Sequence, residues 1–248
     1  MVERLKKRGS PNAATISWRA QHLASLGEIA TPTSLGVEIP QLERGNSKLG
    51  VSGRYAKTMF VWNLPAKATC PGASPWCSKW CYNADLRDEK FPLETWVNNW
   101  AWAVHSPDKL ADALKLQLTK AAPPVAVRIH SSGDYFSADY IDFWIRIVSA
   151  TPEVQYWCYT RSWTSGALLA RLDVLRSLPN IQVFASWDDT MPATPVGWRR
   201  SVVRESIQKA SVDAETLSCP EQDGRLPSCA ACGYCFAKRP GGVLFDAH

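Results

Sequence analysis

Apolar residues along the chain fall into two alternating kinds of run. The first kind is short and nearly continuous: KTMFVWNLP (57–65), VAVRIH (125–130), VQYWCYT (154–160) and IQVFAS (181–186). These runs are rich in β-branched and aromatic residues and end at turn formers, so each predicts a buried strand. The second kind repeats at helical spacing. Trp96, Trp100 and Val104 mark a helix over Leu93–His105, and Leu110, Leu114 and Leu118 mark another over Asp108–Lys120, behind a Ser106-Pro107 start signal. Helices are also predicted over Ser137–Ala150 and Thr164–Ser177.

Strands that are apolar on both faces and alternate with helices predict a parallel sheet covered by helices, with right-handed connections. The expected class is therefore α/β, with the sheet open or curled into part of a barrel. After Trp187 the pattern weakens: it allows a helix over Trp198–Ala210, a short strand over Thr216–Cys219 and a last strand in VLFDAH. Residues 1–45 mix Pro, Gly, Ser and charge, and read as an arm with at most one short helix around Ser17–Ser25. The rest, 46–248, reads as one domain that includes a cysteine-rich segment over 216–248.

A chain of 248 residues can build one sizeable core without disulfides. No run of eighteen apolar residues occurs, and the N-terminal charges Lys6, Lys7 and Arg8 are not followed by the apolar stretch of a secretory signal. The expected location is thus the cytoplasm, with no membrane partner. Eight cysteines in a reducing compartment point to metal ligation or catalysis rather than cross-links. The net charge of +5 and the basic pairs Arg199-Arg200 and Lys238-Arg239 are compatible with a nucleic acid as partner.

Seven of the cysteines form two groups. Cys70, Cys77 and Cys81 (C-x6-C-x3-C) follow the first strand, where parallel α/β proteins place their ligands. Three thiolates leave one position of a four-coordinate site or one iron of a cluster open. Their sulfurs are expected to meet at the carboxyl end of the sheet. Cys219, Cys229, Cys232 and Cys235 (C-x9-C-x2-C-x2-C) supply four soft ligands suited to an iron-sulfur cluster or to structural zinc. Cys158 lies inside a strand and reads as a small core residue. Trp76 and Trp80 lie among the first group. Polar residues recur at three further strand ends: His130 to Asp134, Tyr159 to Ser162 and Ser186 to Asp189. Recurrence at the same end of successive strands suggests a shared site.

The three-cysteine loop and these strand ends resemble the radical S-adenosylmethionine superfamily. Gly133-Asp134 stands where that superfamily has a Gly-Gly-Glu-like turn, Thr160-Arg161-Ser162 a Thr-Asn-Gly-like turn, and Ser186-Trp187-Asp188 a Ser-Leu-Asp-like end. The loop spacing here is longer than its usual C-x3-C-x2-C. More closely, NSKLG (46–50), CPGA (70–73), VRIHSSGD (127–134), CPEQ (219–222) and CAACGYC (229–235) resemble the phage gene product 88 domain family, over about Asn46 to His248.

The first resemblance implies a partial (β/α)6 TIM-like barrel and a [4Fe-4S] cluster on Cys70, Cys77 and Cys81. It also implies S-adenosylmethionine bound near Gly133, Asp134, Thr160, Arg161, Ser186 and Asp188, with the Asp134 carboxylate accepting from the cofactor's ammonium. Cys219, Cys229, Cys232 and Cys235 would hold an auxiliary cluster, zinc being the alternative. An enzyme of this kind needs an electron donor such as flavodoxin or ferredoxin and acts on a substrate the sequence does not identify. The second resemblance implies a phage or mobile-element protein working in the cytoplasm of a bacterial host. A competing class is a nucleic-acid-binding or nuclease-like protein with structural metal, and a third is an interaction protein on a degenerate barrel.

Overall fold

The computed structural model describes residues 38–50, 52–81, 93–207 and 215–247. The short helix expected around Ser17–Ser25 lies outside them. The chain runs β1 (Glu43–Arg44), α1 (Ser47–Gly50), β2 (Met59–Trp62), α2 (Pro75–Trp80), α3 (Leu93–His105), α4 (Pro107–Lys120) and β3 (Ala126–Ile129). It continues through α5 (Ala138–Ala150), β4 (Gln155–Thr160), α6 (Gly166–Ser177), β5 (Ile181–Trp187), β6 (Arg199–Val203), β7 (Leu217–Ser218), α7 (Cys229–Cys232) and β8 (Val243–Phe245).

These strands form one eight-stranded sheet in the order β1-β2-β3-β4-β5-β6-β8-β7, parallel throughout except that β1 runs antiparallel to β2. The sheet does not close on itself, and helices of twelve or more residues separate successive parallel strands from β2 to β5. Between β5 and β6 there is a loop instead of the helix that a (β/α)6 repeat would place there.

A sequential strand order joined by right-handed crossovers sends α3, α4, α5 and α6 to the same side. That side holds Phe60, Trp62, Val127, Ile129, Tyr156, Val183 and Ala185 against Trp100, Leu110, Leu114, Trp144, Ile147 and Leu172 of the helices. The period of two then directs Met59, Val61, Ala126, Trp157 and Phe184 to the opposite side, away from α3 to α6. The cysteine-rich segment covers that side: Ala230 and Phe236, with Leu49 of α1, pack on Met59, Val61, Ala126 and Trp157, and Cys219 and Val243 pack on Phe184. The segment is thus the second layer of the sheet and not a tail beside it.

Several expectations change. The body reaches back past the boundary placed at residue 45, because β1 pairs with β2 and Leu42 exchanges two hydrogen bonds with Gln117 of α4 (2.7 and 2.9 Å). In α3 the buried stripe passes through Trp96, Trp100 and Ala103, leaving Val104 exposed; steps of four, then three, follow a 3.6-residue turn better than two steps of four. Of the helix expected over Trp198–Ala210, the part the structure describes, up to residue 207, is instead β6 followed by a single 3-10 turn (Arg204–Ser206). The RRSVV run gains a parallel ladder with β5 that a helix would forfeit. Among the described residues, no helix is long and apolar enough to cross a membrane.

Candidate functional site

The carboxyl ends of β2, β3, β4 and β5 empty onto one edge of the sheet, and polar side chains stitch them together. Beyond β2, Asn63 turns its Oδ1 to accept from the backbone N–H groups of Ser131 (2.8 Å) and Ser132 (3.0 Å), while Leu64 N–H donates to the Ser132 carbonyl (3.0 Å). The β3 turn so held includes Gly133 at φ +79, where a Cβ would sit 2.6 Å from Leu64 Cβ and 2.7 Å from Thr69 Oγ1. Only a glycine lets the two turns pack this closely.

The segment bearing the first three cysteines docks on the end of β4. Gly72 makes the contact, since a Cβ there would lie 2.0 Å from the Arg161 carbonyl oxygen. Pro75 begins α2, and Ser74 caps it, its Oγ accepting from Cys77 N–H at 3.0 Å. The same hydroxyl donates to Asp188 Oδ2 (2.5 Å) and accepts from Arg161 Nη1 (3.1 Å), which also pairs with Asp188 Oδ2 (2.5 Å). A buried triad of Ser74, Arg161 and Asp188 therefore locks the cysteine helix to the ends of β4 and β5.

The sequence assigned several of these polar groups to a cofactor, and the structure gives them other partners. Asp134 accepts four hydrogen bonds, from Tyr135 N–H and Thr160 Oγ1 at Oδ1 and from Arg161 N–H and Ser162 N–H at Oδ2 (2.6 to 3.2 Å). A carboxylate offers about four acceptor positions, so Asp134 has none left for the cofactor ammonium expected there. Asp188 is equally filled, with Ser74 and Arg161 at one oxygen and the Thr190 amide and hydroxyl at the other. Thr160 spends its hydroxyl on Asp134 and on the Ser162 amide. Gly133 is packed against Leu64 and Thr69. Ser186 lies partly exposed at the end of β5, its carbonyl accepting from Trp163 Nε1 (3.2 Å). Asp134, Thr160 and Asp188 thus tie the strand ends to one another beside the cysteine segment.

Electrostatics follows from that enclosure. Burial pushes the Asp134 carboxyl up, against its four donors. Burial also raises Asp188, but Ser74, Thr190 and the Arg161 guanidinium outweigh it and hold the pKa below the usual carboxylate range. Burial pushes Cys70 well up, reinforced by Asp134, Cys77 and Cys81. It raises Cys77 as well, with Arg161 partly offsetting it and Cys81, Asp134 and Asp188 adding to it. Thiols held protonated in this way are poor nucleophiles, because the thiolate is the reactive form. A thiophilic metal changes that balance by supplying positive charge.

On the face opposite α3 to α6, Cys219, Cys229, Cys232 and Cys235 are likewise electrostatic neighbours. Burial raises Cys229 to about 11, while Arg128 and Lys48 pull it down and Cys219 and Glu221 push it up. Cys235, which hydrogen-bonds Tyr159, is raised by burial to about 12, with Cys229, Cys219 and Cys232 adding to it. Ser228 caps the α7 turn that carries Cys229 and Cys232, and Gly233 closes it at φ +69. All eight cysteines are unpaired thiols. Within each group the cysteines are electrostatic neighbours. Even so, among the described residues no three Cys, His, Asp or Glu side chains form a ready metal-ion group, so the expected meeting of the loop sulfurs is not present. The donor set of each group, all soft sulfur, fits an iron-sulfur cluster or zinc and not a hard cation. Cys158 is fully buried on the helix side and accepts from the Tyr135 hydroxyl (3.4 Å), a core residue as expected.

The sequence reading missed Asn63 and Ser74. Ser74-Pro75 is the same start signal that marked α4, and it foretells α2 inside what otherwise reads as a loop.

Comparison with known proteins gives one consistent result. The gene product 88 family profile matches residues 40–238. The Gene 88 protein of Mycobacterium phage L5 is 29% identical over 230 residues, spanning 82% of this chain and 90% of the relative. The Gene 88 protein of Mycobacterium phage D29 is 28% identical over 232 residues, with the same coverage of both chains. No solved structure matches.

Proposed function

The chain belongs to the gene product 88 family, and we propose that it is a cytoplasmic iron-sulfur protein with two separate cysteine-ligated centres. One observation carries the reading: Cys70, Cys77 and Cys81 lie in one segment at the carboxyl edge of a parallel sheet, near enough for Cys77 and Cys81 to raise the Cys70 thiol, and the helix that holds Cys77 is fixed by the Ser74–Arg161–Asp188 triad. That edge is where α/β folds present cofactors. The three loop thiols would ligate a cluster with one iron lacking a protein ligand, and Cys219, Cys229, Cys232 and Cys235 would hold a second cluster or a zinc ion.

A cluster of the first kind supplies a low-potential electron and an open coordination position. The finer reading is that S-adenosylmethionine takes that position. The protein's own contribution is rigidity: Asp134, Thr160 and Asp188 fix the strand ends, and Arg161 places a guanidinium beside Cys77 that favours its thiolate. Ser186 is the proposed cofactor contact whose hydroxyl is not committed to this framework.

The test is anaerobic purification with iron, sulfide and zinc quantified, followed by electron paramagnetic resonance of the dithionite-reduced protein with and without S-adenosylmethionine. Iron with matching sulfide, lost in part in Cys77→Ala, is the expected result. Zinc alone would overturn the iron-sulfur reading. A loaded, reducible cluster whose spectrum ignores S-adenosylmethionine, with no 5′-deoxyadenosine released, would remove the finer one.

A further inference from the structure

At the amino ends of the strands, opposite the cysteine loop, lie two cavities. One, of about 450 Å³, opens between the end of α6, the starts of β5 and β6, and the stretch that follows the last cysteine. Its charged groups are Arg176, Arg199, Lys238 and Arg239 against the single carboxylate of Glu215. Arg200 also borders it, with its guanidinium over the ring of Trp187 (5.4 Å). The other, of about 630 Å³, is walled by Arg54, Tyr55, Glu153, Phe236 and again Arg239. Arg239 lines both cavities, so they adjoin along this edge.

The positive charge along this edge is poorly neutralised. Arg199 is stacked between the rings of Phe184 (4.2 Å) and Tyr234 (5.0 Å). It donates to the carbonyls of Gly241 (2.8 Å) and Ala237 (3.2 Å) and to Gln182 Oε1 (3.3 Å), all of them neutral acceptors. Its Nη2 is enclosed without an acceptor. Lys238 and Arg239 are exposed and make no ion pair among the described residues. Arg176 sits over Trp198 (5.4 Å) and is 3.5 Å from Asp173 across a half-exposed surface, where such a pair contributes little. Arg54 lies over Tyr55 (5.9 Å).

The geometry points to a site for single-stranded nucleic acid: we infer that Arg54, Arg239, Lys238 and Arg176 follow a phosphodiester backbone across the amino edge of the sheet, with the enclosed Arg199 adding positive charge beneath them. The length favours a polymer over a lone phosphate, since the track runs from the start of β3 to the start of β6, three inter-strand steps of about 4.8 Å, or roughly 14 Å. Tyr55 and Tyr234, rings along the track that are not buried, favour unpaired bases, because a base can reach such a ring only when it is not held in a duplex. This inference is independent of the iron-sulfur reading. It joins the two basic pairs, 199-200 and 238-239, that lie far apart in the sequence.

The experiment is fluorescence anisotropy of the full-length protein with a labelled oligothymidylate between about 50 and 200 mM salt. With about four phosphates neutralised, log affinity should fall against log salt with a slope of about −3, from roughly −0.7 per phosphate for single strands. Lys238→Glu with Arg239→Glu should weaken binding at least tenfold and flatten the slope, and Arg54→Glu should do the same from the second cavity. Both substitutions lie on exposed or half-exposed side chains, and unchanged circular dichroism and metal content confirm that the fold is retained. Absence of binding at the lowest salt overturns the inference, as does affinity indifferent to these substitutions. Equal competition by pyrophosphate, or tighter binding of a duplex of the same sequence, overturns it too.

Discussion

Arg161 Nη1 and Asp188 Oδ2 meet at 2.5 Å, both side chains nearly sealed from solvent, with the Ser74 hydroxyl touching each. The pair joins residues that follow two neighbouring strands to the cap of the cysteine helix. Buried ion pairs of this kind are weak evidence for net stability, since desolvation offsets much of the attraction; what they specify is arrangement.

Breaking the pair from one side should therefore be costly. Arg161→Met strands a buried carboxylate, and a loss of about 3–5 kcal/mol is expected in urea unfolding. Arg161→Met combined with Asp188→Leu should cost less than the sum of the two single changes. Because Asp188 has a lowered pKa, its contribution is present above the unfolded value near 3.9 and lost as pH falls through the folded one. An additive double-mutant cycle would contradict the coupling.

Gly72→Ala tests the docking of the loop. A Cβ 2.0 Å from the Arg161 carbonyl cannot be accommodated by side-chain movement alone, because the opposing atom is backbone. The loop must lift, and the expected result is loss of metal from the Cys70 group with the C-terminal group unchanged. Full metal content at both groups would show that the docking is dispensable.

The strands and main helices were legible because their signals are local: continuous apolar runs, 3.6-residue stripes and Ser-Pro starts. The sequence also placed Cys70, Gly133, Arg161 and Asp188 at neighbouring strand ends. What it could not show was how the polar groups would be spent. Asp134 and Thr160 read as ligand contacts, yet they meet each other across β3 and β4, a pairing that depends on the relative placement of two turns. The role of the cysteine-rich segment as the second layer was hidden for a similar reason. Ala230 and Phe236 carry no periodicity, and only the face of the finished sheet opposite α3 to α6 gives them a partner.

His130 offers a pH signature. It has φ +66, is buried, and its Nε2 lies 2.9 Å from the Tyr140 hydroxyl, which accepts from Trp62 Nε1 (3.0 Å). Desolvation, with Arg128 adding to it, lowers its pKa from 6.5 to about 3. A folded-state histidine depressed in this way stabilises above the unfolded pKa, and that stability is lost as pH falls toward the folded value. His130→Asn keeps a residue that tolerates positive φ and removes the titration. Between pH 7 and 4 the wild type should lose about 3 kcal/mol more than the variant in urea unfolding. Parallel pH profiles would refute the assignment.

The two cysteine groups should also differ in what their loss does to the fold. The C-terminal group lies in the segment that covers Met59, Val61, Ala126 and Trp157, so its metal, once bound, would fasten one layer of the core to the other. The loop group holds only an edge. Cys232→Ala should therefore expose apolar surface, seen as dye binding and protease cleavage within 219–242, and lower the thermal midpoint by many degrees, because metal binding that requires the folded segment contributes directly to folding. Cys77→Ala should remove the loop metal and leave the midpoint within a few degrees of wild type. If Cys77→Ala instead unfolded the protein while Cys232→Ala left it intact, the loop group would be the structural centre and the C-terminal one the candidate for chemistry.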